Sequence, residues 1–428
     1  MKTPNPKIEG LVSGILKPIV VNTPFDEKLV GLNCFGFGGV NVHVIVRSDS
    51  SDPYPQNQDI FGGIPRLVLM CGRTEEALNS SLSKVMKTPK MLTRDYLSLL
   101  NDISKTSAFK NGKNSLRGMP FRGFALIDSK DVLSEESNQI TFCKSPEARP
   151  QVWYVFSGMG GQWPAMAKSL MSLKVFEQSI RRSAQVLIEY EFDLMHVLLD
   201  INENLMDCPL NSFVGLAAIQ IALVDVLREL DVSPDGIVGH SVGELVCAYA
   251  DGCVTHEETI RMAFWRGKCV KDDLKCRGRM AAIGLSLEEV RARLPTGVFI
   301  ACHNSEDSIT VSGKEEAVHK FVQQLKSESV FARLIDSSGI AFHSPLMSGV
   351  RQILSEKLSQ IIPNKRLKSS KWLSTTYDES DERSHYVCSE YFVDNLIQPV
   401  LFSPALSRIP RDAVVIEVSI ESFLSTVF

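Results

Sequence analysis

The chain contains 428 residues, which at roughly 150 residues per domain predicts two or three globular units rather than one simple fold. Hydrophobic residues make up 44% and charged residues 22%, with 27 Gly and 20 Pro, so the composition excludes a disordered, collagen-like or mini-protein chain. The formal net charge of -4 excludes a global positive field that would hold nucleic acid or an anionic membrane surface.

The N-terminal segment carries two apolar stretches. The opening sequence, MKTPNPKIEG, lacks the apolar core of a secretory signal. Residues 10–21 (GLVSGILKPIVV) and 40–46 (VNVHVIV) flank a glycine-rich turn at residues 35–39 (FGFGG), so we predict both as strands of a sheet. Polar, proline-containing residues 47–59 then predict a connector.

The next region alternates strand and helix patterns. Residues 66–72 (RLVLMCG) and 121–128 (FRGFALID) predict strands, and residues 75–86 (EEALNSSLSKVM) predict a helix. Polar residues 129–150 predict a further connector before the strongest strand signal, VWYVF at residues 152–156.

Two more features bound the function classes. The apolar stretch at residues 213–224 is too short to cross a bilayer, so it predicts a buried helix and no membrane partner. The ten cysteines show no paired CxxC spacing, which argues against a zinc site and a disulfide framework and favours a reduced, cytoplasmic compartment.

From residue 152 onward the elements predict an α/β fold. The order is strand, glycine turn, long helical region, the strand GIVG at residues 236–239 and another helix. Between residues 279 and 336 the order changes to β-α-β-β-α-β, which is the ferredoxin-like split unit. We therefore predict a subdomain inserted into a larger parallel-sheet domain that resumes at Ile340 and ends with the strand VVIEV. The cleft between the two would be a natural ligand site.

The sharpest motif is GHSVG at residues 239–243. It matches the nucleophile-elbow pattern GxSxG, and it lies between a predicted strand and a predicted helix as that motif requires. The flanking glycines permit a tight reversal that holds the Ser241 hydroxyl at a helix N-terminus, where developing negative charge is favoured. The sequence therefore predicts a nucleophilic serine, with a structural Gly-Ser turn as the alternative.

Candidate partners of this serine are less sharply defined. A nucleophilic serine needs a base, and His343 lies where the large domain resumes. His240 belongs to the turn and should point away from the serine, although a secondary role stays open. Arg266, between aromatic and apolar neighbours, could bind a substrate carboxylate or could lie on a solvated helix face. Asp336 is most simply a strand-end or turn residue.

Several ordered segments resemble a known family. YVFSGMGGQW, SFVGLAAIQ, PDGIVGHSVGEL, FWRGKC, ACHNS, AFHS and WLSTTYDES are similar to the malonyl/acetyl acyltransferase domain of animal-type fatty acid synthases. Upstream, NPKIEGLVSG and GLNCFGFGGVNVHVIV resemble the last strands of a ketosynthase, and IPRLVLMCGRTEEAL with SLLNDIS and MPFRGFALI resembles the linker domain between the two enzymes. The resemblance covers nearly the whole chain.

This resemblance implies a domain organisation. Residues 1–48 would be a ketosynthase C-terminal remnant, residues 60–145 the linker domain, and residues 150–428 an α/β-hydrolase-like acyltransferase domain with a ferredoxin-like insertion at 279–338. The ketosynthase nucleophile and its histidines lie outside this chain, so no condensation activity is expected. Without most of the ketosynthase surface, a monomer is expected.

The resemblance also implies a reaction and its residues. Malonyl, and also acetyl, would pass from coenzyme A to the phosphopantetheine thiol of an acyl carrier protein through an acyl-serine, in fatty acid biosynthesis, with no bound cofactor or metal. Ser241 matches the nucleophile, His343 the general base, and Asn395 the carbonyl that orients the histidine. The remaining matches are the oxyanion-hole backbone positions and the substrate-contacting side chains: Met159, Val242, Arg266, Phe213 and Phe342.

Two alternatives and one departure remain. A serine hydrolase or thioesterase would use the same elbow, and a non-catalytic synthase module would use no elbow chemistry. Where the family has a proline and histidine after the last strand, this chain has Ile420 and Glu421, so the geometry of that loop is left open.

Overall fold

The computed structural model contains two compact units, Met1–Ile60 and Phe61–Phe428. The residues that it describes are 7–19, 21, 29–35, 41–47, 65–87, 93–106, 119–127, 140–144, 149–273 and 276–420.

The first unit is a short helix and a hairpin. Helix α1 spans Glu9–Val12, and the antiparallel strands β1 and β2 span Leu29–Phe35 and Asn41–Arg47. The strand predicted at residues 40–46 is therefore confirmed, whereas the strand predicted at residues 10–21 is wrong, because its start is helical. Short apolar runs fit a helix turn and a strand equally well by periodicity. The predicted FGFGG turn lies, after Phe35, outside the described residues.

The next elements form a three-stranded antiparallel sheet with two helices. They are β3 (Arg66–Gly72), α2 (Glu75–Lys87), α3 (Arg94–Thr106), β4 (Phe121–Ile127) and β5 (Ile140–Lys144), in the sheet order β3-β4-β5. Helix α2 starts after Thr74, whose Oγ1 accepts from the Ala77 N–H at 3.2 Å as an N-cap. The connector predicted over residues 129–150 is wrong at its centre, because β5 pairs there with β4.

The large domain begins with a strongly apolar strand. Its first elements are β6 (Val152–Phe156), α4 (Lys174–Leu187), α5 (Leu194–Leu199), α6 (Pro209–Glu229), β7 (Gly236–Gly239), α7 (Gly243–Asp251) and α8 (His256–Asp272). A capping box fixes the start of α8: the Thr255 side chain accepts from the Glu258 N–H, and the Glu258 carboxylate accepts from the Thr255 N–H.

The inserted subdomain has the predicted ferredoxin-like order. It comprises β8 (Arg279–Ile283), α9 (Leu287–Arg293), β9 (Val298–His303), β10 (Ile309–Gly313), α10 (Glu315–Ser327) and β11 (Ala332–Ile335). The four strands pair antiparallel in the order β11-β8-β10-β9, and they cover a small core of their own.

The chain then returns to the large domain. The last elements are α11 (Arg351–Ile361), β12 (Arg366–Leu367), β13 (Trp372–Leu373), β14 (Tyr386–Val387), α12 (Ser389–Ile397), β15 (Val400–Leu401), α13 (Phe402–Leu406) and β16 (Val414–Val418). Strand β15 pairs in parallel with β9 and so adds a fifth strand to the subdomain sheet. Strands β12 and β14 form a separate antiparallel pair.

The main sheet is parallel throughout and has the order β13-β7-β6-β16. Its carboxyl ends are aligned, because Phe156 at the end of β6 is in register with Gly239 of β7 and with Val418 of β16. The loops that follow these strands therefore leave from one edge, which is where ligands bind in open α/β sheets.

Helix α6 is the centre of the core. It is long and apolar enough to cross a membrane by length and composition, but 72% of its apolar window is buried inside the protein. The buried helix predicted over residues 213–224 is confirmed and is extended at both ends, to Pro209 and Glu229. Gln220 is anchored within this core, since its Nε2 donates to the Ser157 carbonyl at 2.8 Å.

Candidate active site

The predicted elbow is a sharp turn between β7 and α7. Ser241 has a φ of +53°, in the left-handed region that costs energy for a residue with a side chain. Both flanking glycines are required by space: a Cβ at Gly239 would lie 2.6 Å from Cys247 Sγ, and a Cβ at Gly243 would lie 2.5 Å from the Phe156 carbonyl oxygen. The strain and the close approach hold the Ser241 hydroxyl at the strand edge.

His343 comes from beyond the inserted subdomain and reaches this hydroxyl. Its Nε2 lies 2.8 Å from Ser241 Oγ, and the imidazole is 3% exposed. His343 also has a left-handed backbone, with a φ of +55°, just before the 3₁₀ turn Pro345–Val350. The structure thus brings together the serine and the histidine that the sequence predicted as partners.

The histidine is oriented by a main-chain carbonyl. His343 Nδ1 lies 3.0 Å from the Gln398 carbonyl oxygen, which can only accept, so Nδ1 carries the proton and Nε2 faces Ser241 as an acceptor. Burial, with smaller contributions from the charges of Arg266 and His240, lowers the pKa of His343 to about 3. The ring is therefore neutral at physiological pH and able to accept a proton.

The prediction that Asn395 orients His343 is wrong. The Asn395 carbonyl Oδ1 instead accepts from Arg266 Nη1 at 2.6 Å. Asn395 lies in α12, and Gln398 follows the end of that helix, so the two carbonyls are three residues apart. Every residue has a backbone carbonyl, so residue type does not show which carbonyl at a helix end accepts from the histidine.

Arg266 is a buried cation directed at the same hydroxyl. The residue is 1% exposed, and its Nη2 lies 3.4 Å from Ser241 Oγ. Its Nε has no hydrogen-bond partner among the described residues, and none of their carboxylates lies within ion-pair distance of it. Burial lowers the pKa of the guanidinium to about 9, so it stays charged at neutral pH. The solvated-face alternative for Arg266 is thereby excluded.

Two aromatic side chains lie beside this cation. Phe213 and Phe342 are buried, and their rings meet edge to face with centroids 5.7 Å apart. Arg266 Cζ lies 5.2 Å from the centroid of the Phe213 ring, within cation–π range. The predicted substrate-contacting residues Arg266, Phe213 and Phe342 therefore form one cluster.

The two predicted oxyanion positions flank the elbow. Val242 follows Ser241 directly and is the N-cap residue of α7. Met159 lies in the glycine-rich loop after β6, and this loop presses on the elbow, because a Cβ at Gly158 would lie 2.9 Å from His240 Nδ1 and 3.4 Å from Ser241 Cβ.

His240 and Asp336 have structural positions. His240 Nε2 is hydrogen-bonded to Asn304 Oδ1 at 3.1 Å, which ties the elbow to the inserted subdomain. The Asp336 carboxylate accepts from the Ser338 N–H at 3.1 Å, as a turn residue does.

A cavity of about 580 Å³ lies between the subdomain and the large domain and reaches the site. Its lining includes His343 and Gln398 on one side and Leu287, Arg291 and Phe299 on the other. In the described part of the chain, no group of three or more His, Cys, Asp or Glu side chains is placed to hold a metal ion.

Sequence reasoning missed one member of the site. Glu244 follows the elbow within the first turn of α7, and it is fully buried. Its signal was an acidic residue at the start of the otherwise apolar stretch ELVCAYA, since a charged residue is almost never fully buried without partners.

Acidification should destabilise the fold through three buried histidines. Burial lowers the pKa of His240 and of His256 to about 4 and that of His343 to about 3. Histidine in an unfolded chain titrates near 6.5, so between that pH and the folded pKa the unfolded chain binds more protons. The free energy of unfolding should therefore fall as the pH falls through this window, by at most about 1.4 kcal/mol per pH unit for each histidine.

Urea unfolding at about pH 7 and about pH 5 measures this slope. His256→Gln, which keeps a polar group opposite Ser183 but cannot become charged, should make the slope shallower. Equal stability at both pH values in the unsubstituted protein would contradict the expectation.

Comparisons with known proteins give the family. The model for "Acyl transferase domain" matches residues 153–428, and the model for "Ketoacyl-synthetase C-terminal extension" matches residues 4–126. The chain is 28% identical over 432 residues to the highly reducing polyketide synthase PKS6 of Gibberella zeae. That alignment covers 95% of this chain but 17% of the relative's length.

Solved structures show the same fold. The acyl transferase domain of ZmaA matches with a TM-score of 0.68 at 18% identity, over 87% of this chain and 86% of that one. The malonyl-CoA:ACP transacylase of Synechocystis sp. PCC 6803 matches with a TM-score of 0.54 at 19% identity, over 65% of this chain and 92% of that one. The predicted α/β fold class is confirmed.

The predicted resemblance holds for the acyltransferase and for the segment that precedes it, whereas the relative is a polyketide synthase rather than a fatty acid synthase. Because the first model covers more than half of the chain, and because its match contains the whole Ser241–His343–Arg266 cluster, the chain belongs to the acyl transferase domain family.

Proposed function

We propose that this chain transfers a malonyl group from coenzyme A to the phosphopantetheine thiol of an acyl carrier protein through an acyl-Ser241 intermediate. The observation that carries this proposal is the arrangement around one oxygen: Ser241 Oγ lies 2.8 Å from a neutral imidazole acceptor and 3.4 Å from the buried guanidinium of Arg266. The imidazole is placed to activate the nucleophile, and the guanidinium is placed to bind the carboxylate of the acyl group.

The first half-reaction acylates the serine. His343 Nε2 takes the Ser241 proton while Oγ attacks the thioester carbonyl, and a tetrahedral intermediate forms. The C–S bond then breaks, and the imidazolium returns its proton to the departing thiolate of coenzyme A. The Gln398 carbonyl holds Nδ1–H throughout, so only Nε2 exchanges the proton.

The second half-reaction runs the same steps with the carrier thiol as nucleophile. His343 takes the thiol proton, the sulfur attacks the acyl-serine, and the proton passes to Ser241 Oγ as the C–O bond breaks. In both halves the backbone N–H groups of Met159 and Val242 would donate to the oxyanion. Such donors stabilise charge that exists only in the tetrahedral state, and each is typically worth about 10² to 10³ in rate.

Selectivity for malonyl follows from Arg266. A guanidinium binds a carboxylate with two parallel hydrogen bonds, and here it is 1% exposed and lies against the Phe213 ring. Acetyl lacks the carboxylate and would leave the buried charge without a counter-ion, so acetyl-CoA would be the weaker substrate. A hydrolase for neutral esters would meet the same penalty, which disfavours that alternative.

The proposed setting is polyketide assembly in the cytoplasm. PKS6 is a highly reducing polyketide synthase, and this chain corresponds to 17% of its length. Fatty acid synthesis would use the same transfer and the same residues, and the identity of the accepting carrier protein distinguishes the two.

Intact-mass measurement after incubation with malonyl-CoA tests the transfer. One malonyl group should add to the protein, and it should leave again when a phosphopantetheinylated carrier protein is supplied. Consumption of malonyl-CoA with no malonyl group on either this protein or the carrier protein would favour a thioesterase. A protein that stays unmodified and consumes nothing would favour a non-catalytic module.

A further inference from the structure

Glu244 is a buried carboxylate that the proposed reaction does not use. It lies three residues after Ser241 and is 0% exposed. Its oxygens accept from the Thr375 N–H at 2.7 Å, from Thr376 Oγ1 at 2.7 Å and from Tyr391 OH at 2.6 Å. These donors come from two other parts of the large domain, the segment at Thr375 and Thr376 and helix α12.

A side-chain amide connects this carboxylate to Arg266. Asn395 Nδ2 donates to Thr376 Oγ1 at 3.0 Å and lies 3.5 Å from Glu244 Oε2. On its other side, Asn395 Oδ1 accepts from Arg266 Nη1 at 2.6 Å. The amide thus stands between the buried carboxylate of Glu244 and the buried cation of Arg266.

The direction of the hydrogen bonds in this chain is set by Glu244. Because a carboxylate only accepts, the Thr376 hydroxyl must donate its proton to Glu244. The Thr376 oxygen is then an acceptor for Asn395, which must turn its NH₂ group towards Thr376. The Asn395 carbonyl is left facing Arg266, which has only donors.

The same connection places a carboxylate near Arg266 and occupies only one nitrogen of the guanidinium. A buried charge is costly unless it is paired, and burial lowers the pKa of Arg266 while the charge of Glu244 opposes this. A direct Glu244–Arg266 ion pair would compete with the substrate carboxylate. With an amide between them, Nη1 is held by Asn395, Nη2 lies 3.4 Å from Ser241 Oγ, and Nε has no hydrogen-bond partner among the described residues.

We propose that Glu244 is a positioning residue for malonyl selectivity: through Thr376 and Asn395 it fixes the orientation of the amide, and the amide fixes Arg266 beside Ser241. This inference rests on the proposed malonyl transfer. Glu244 touches no reacting atom, so its removal should act on the malonyl carboxylate and leave the thioester chemistry in place.

Glu244→Gln tests the proposal. The glutamine side chain places an NH₂ donor where Glu244 has an acceptor. The Thr376 hydroxyl can then donate to Asn395 instead, and the Asn395 amide can flip so that its NH₂ group faces Arg266. Losing one hydrogen bond to a charged group is worth roughly 10- to 100-fold, so kcat/KM for malonyl-CoA should fall by about that factor. Acetyl loading of Ser241 should change by less than about threefold, and the malonyl-to-acetyl ratio is the quantity measured.

Thr376→Val is the second variant, because it removes the connecting hydroxyl and keeps the side-chain shape and the Glu244 charge. It should also lower the malonyl-to-acetyl ratio. Glu258→Gln is the matched control, since Glu258 is also a hydrogen-bonded carboxylate, paired with Arg366, but has no contact with Arg266. That variant should lose thermal stability and keep the ratio.

The outcomes separate this inference from the proposed function. Equal losses of malonyl and acetyl loading in Glu244→Gln and Thr376→Val, with a lowered Tm, would show a structural role only and overturn the inference. An unchanged ratio in both variants would overturn it as well. Absence of a malonyl adduct in the unsubstituted protein would instead contradict the transfer reaction itself.

Discussion

Replacing Ser241 with alanine should abolish acyl loading, and transfer to a carrier thiol should fall by roughly 10⁶-fold, the size typical of a lost serine nucleophile. The expectation follows from the geometry, because Ser241 Oγ is the atom that both His343 Nε2 and Arg266 Nη2 face. Intact-mass measurement with malonyl-CoA and a steady-state assay with a carrier protein would measure the two effects.

Ser183 provides a matched control. Its hydroxyl lies 2.8 Å from His256 Nε2, the same distance as in the Ser241–His343 pair, but both residues are buried in the helical layer between α4 and α8. Ser183→Ala should therefore retain loading. A malonyl adduct that persists in Ser241→Ala, or that disappears in Ser183→Ala while the protein stays folded, would contradict the assignment of the nucleophile.

Replacing Arg266 with alanine should separate malonyl from acetyl loading. Truncating one partner of a buried, hydrogen-bonded charge pair typically costs about 2 to 5 kcal/mol, which is roughly 30- to 4,000-fold in kcat/KM for malonyl-CoA. Acetyl loading should be retained or should rise, because the variant removes a buried cation that acetyl cannot pair with. Competition between the two thioesters, read by intact mass, measures the ratio.

A remote arginine serves as the control for this experiment. Arg228 Cζ lies 4.4 Å from the centroid of the Tyr249 ring, an arrangement like that of Arg266 over Phe213. Arg228→Ala should leave the ratio unchanged. Parallel loss of both substrates in Arg266→Ala would refute the carboxylate-binding role.

The elbow could be predicted from sequence because its determinants are local. A buried strand, two glycines around Ser241 and an apolar helix lie within one short segment, and the structure places the residues of that segment as the pattern requires. His343 is different: it lies 102 residues from Ser241 in sequence, and the two were paired by the interpretation of the intervening elements as an insertion together with the family resemblance.

The errors have equally specific causes. The carbonyl that orients His343 belongs to the main chain of Gln398, and residue type carries no information about a main-chain carbonyl. Asn395 was assigned this role because it matches a position of the resembled family, and it lies three residues before Gln398. The misassigned short elements, α1 and β5, have four and five residues, and at that length tertiary pairing outweighs local pattern.

The fifth strand of the subdomain sheet lies next in sequence to the carbonyl that orients His343. Strand β15 begins with Val400, paired with Cys302 of the subdomain, only two residues after the carbonyl that holds the His343 ring. Fraying of this strand pair would release the imidazole before the parallel sheet itself came apart. Activity would then be lost at a lower temperature than the one at which the whole domain melts. The His343 imidazole would be displaced while Ser241 still lay at the edge of an intact parallel sheet.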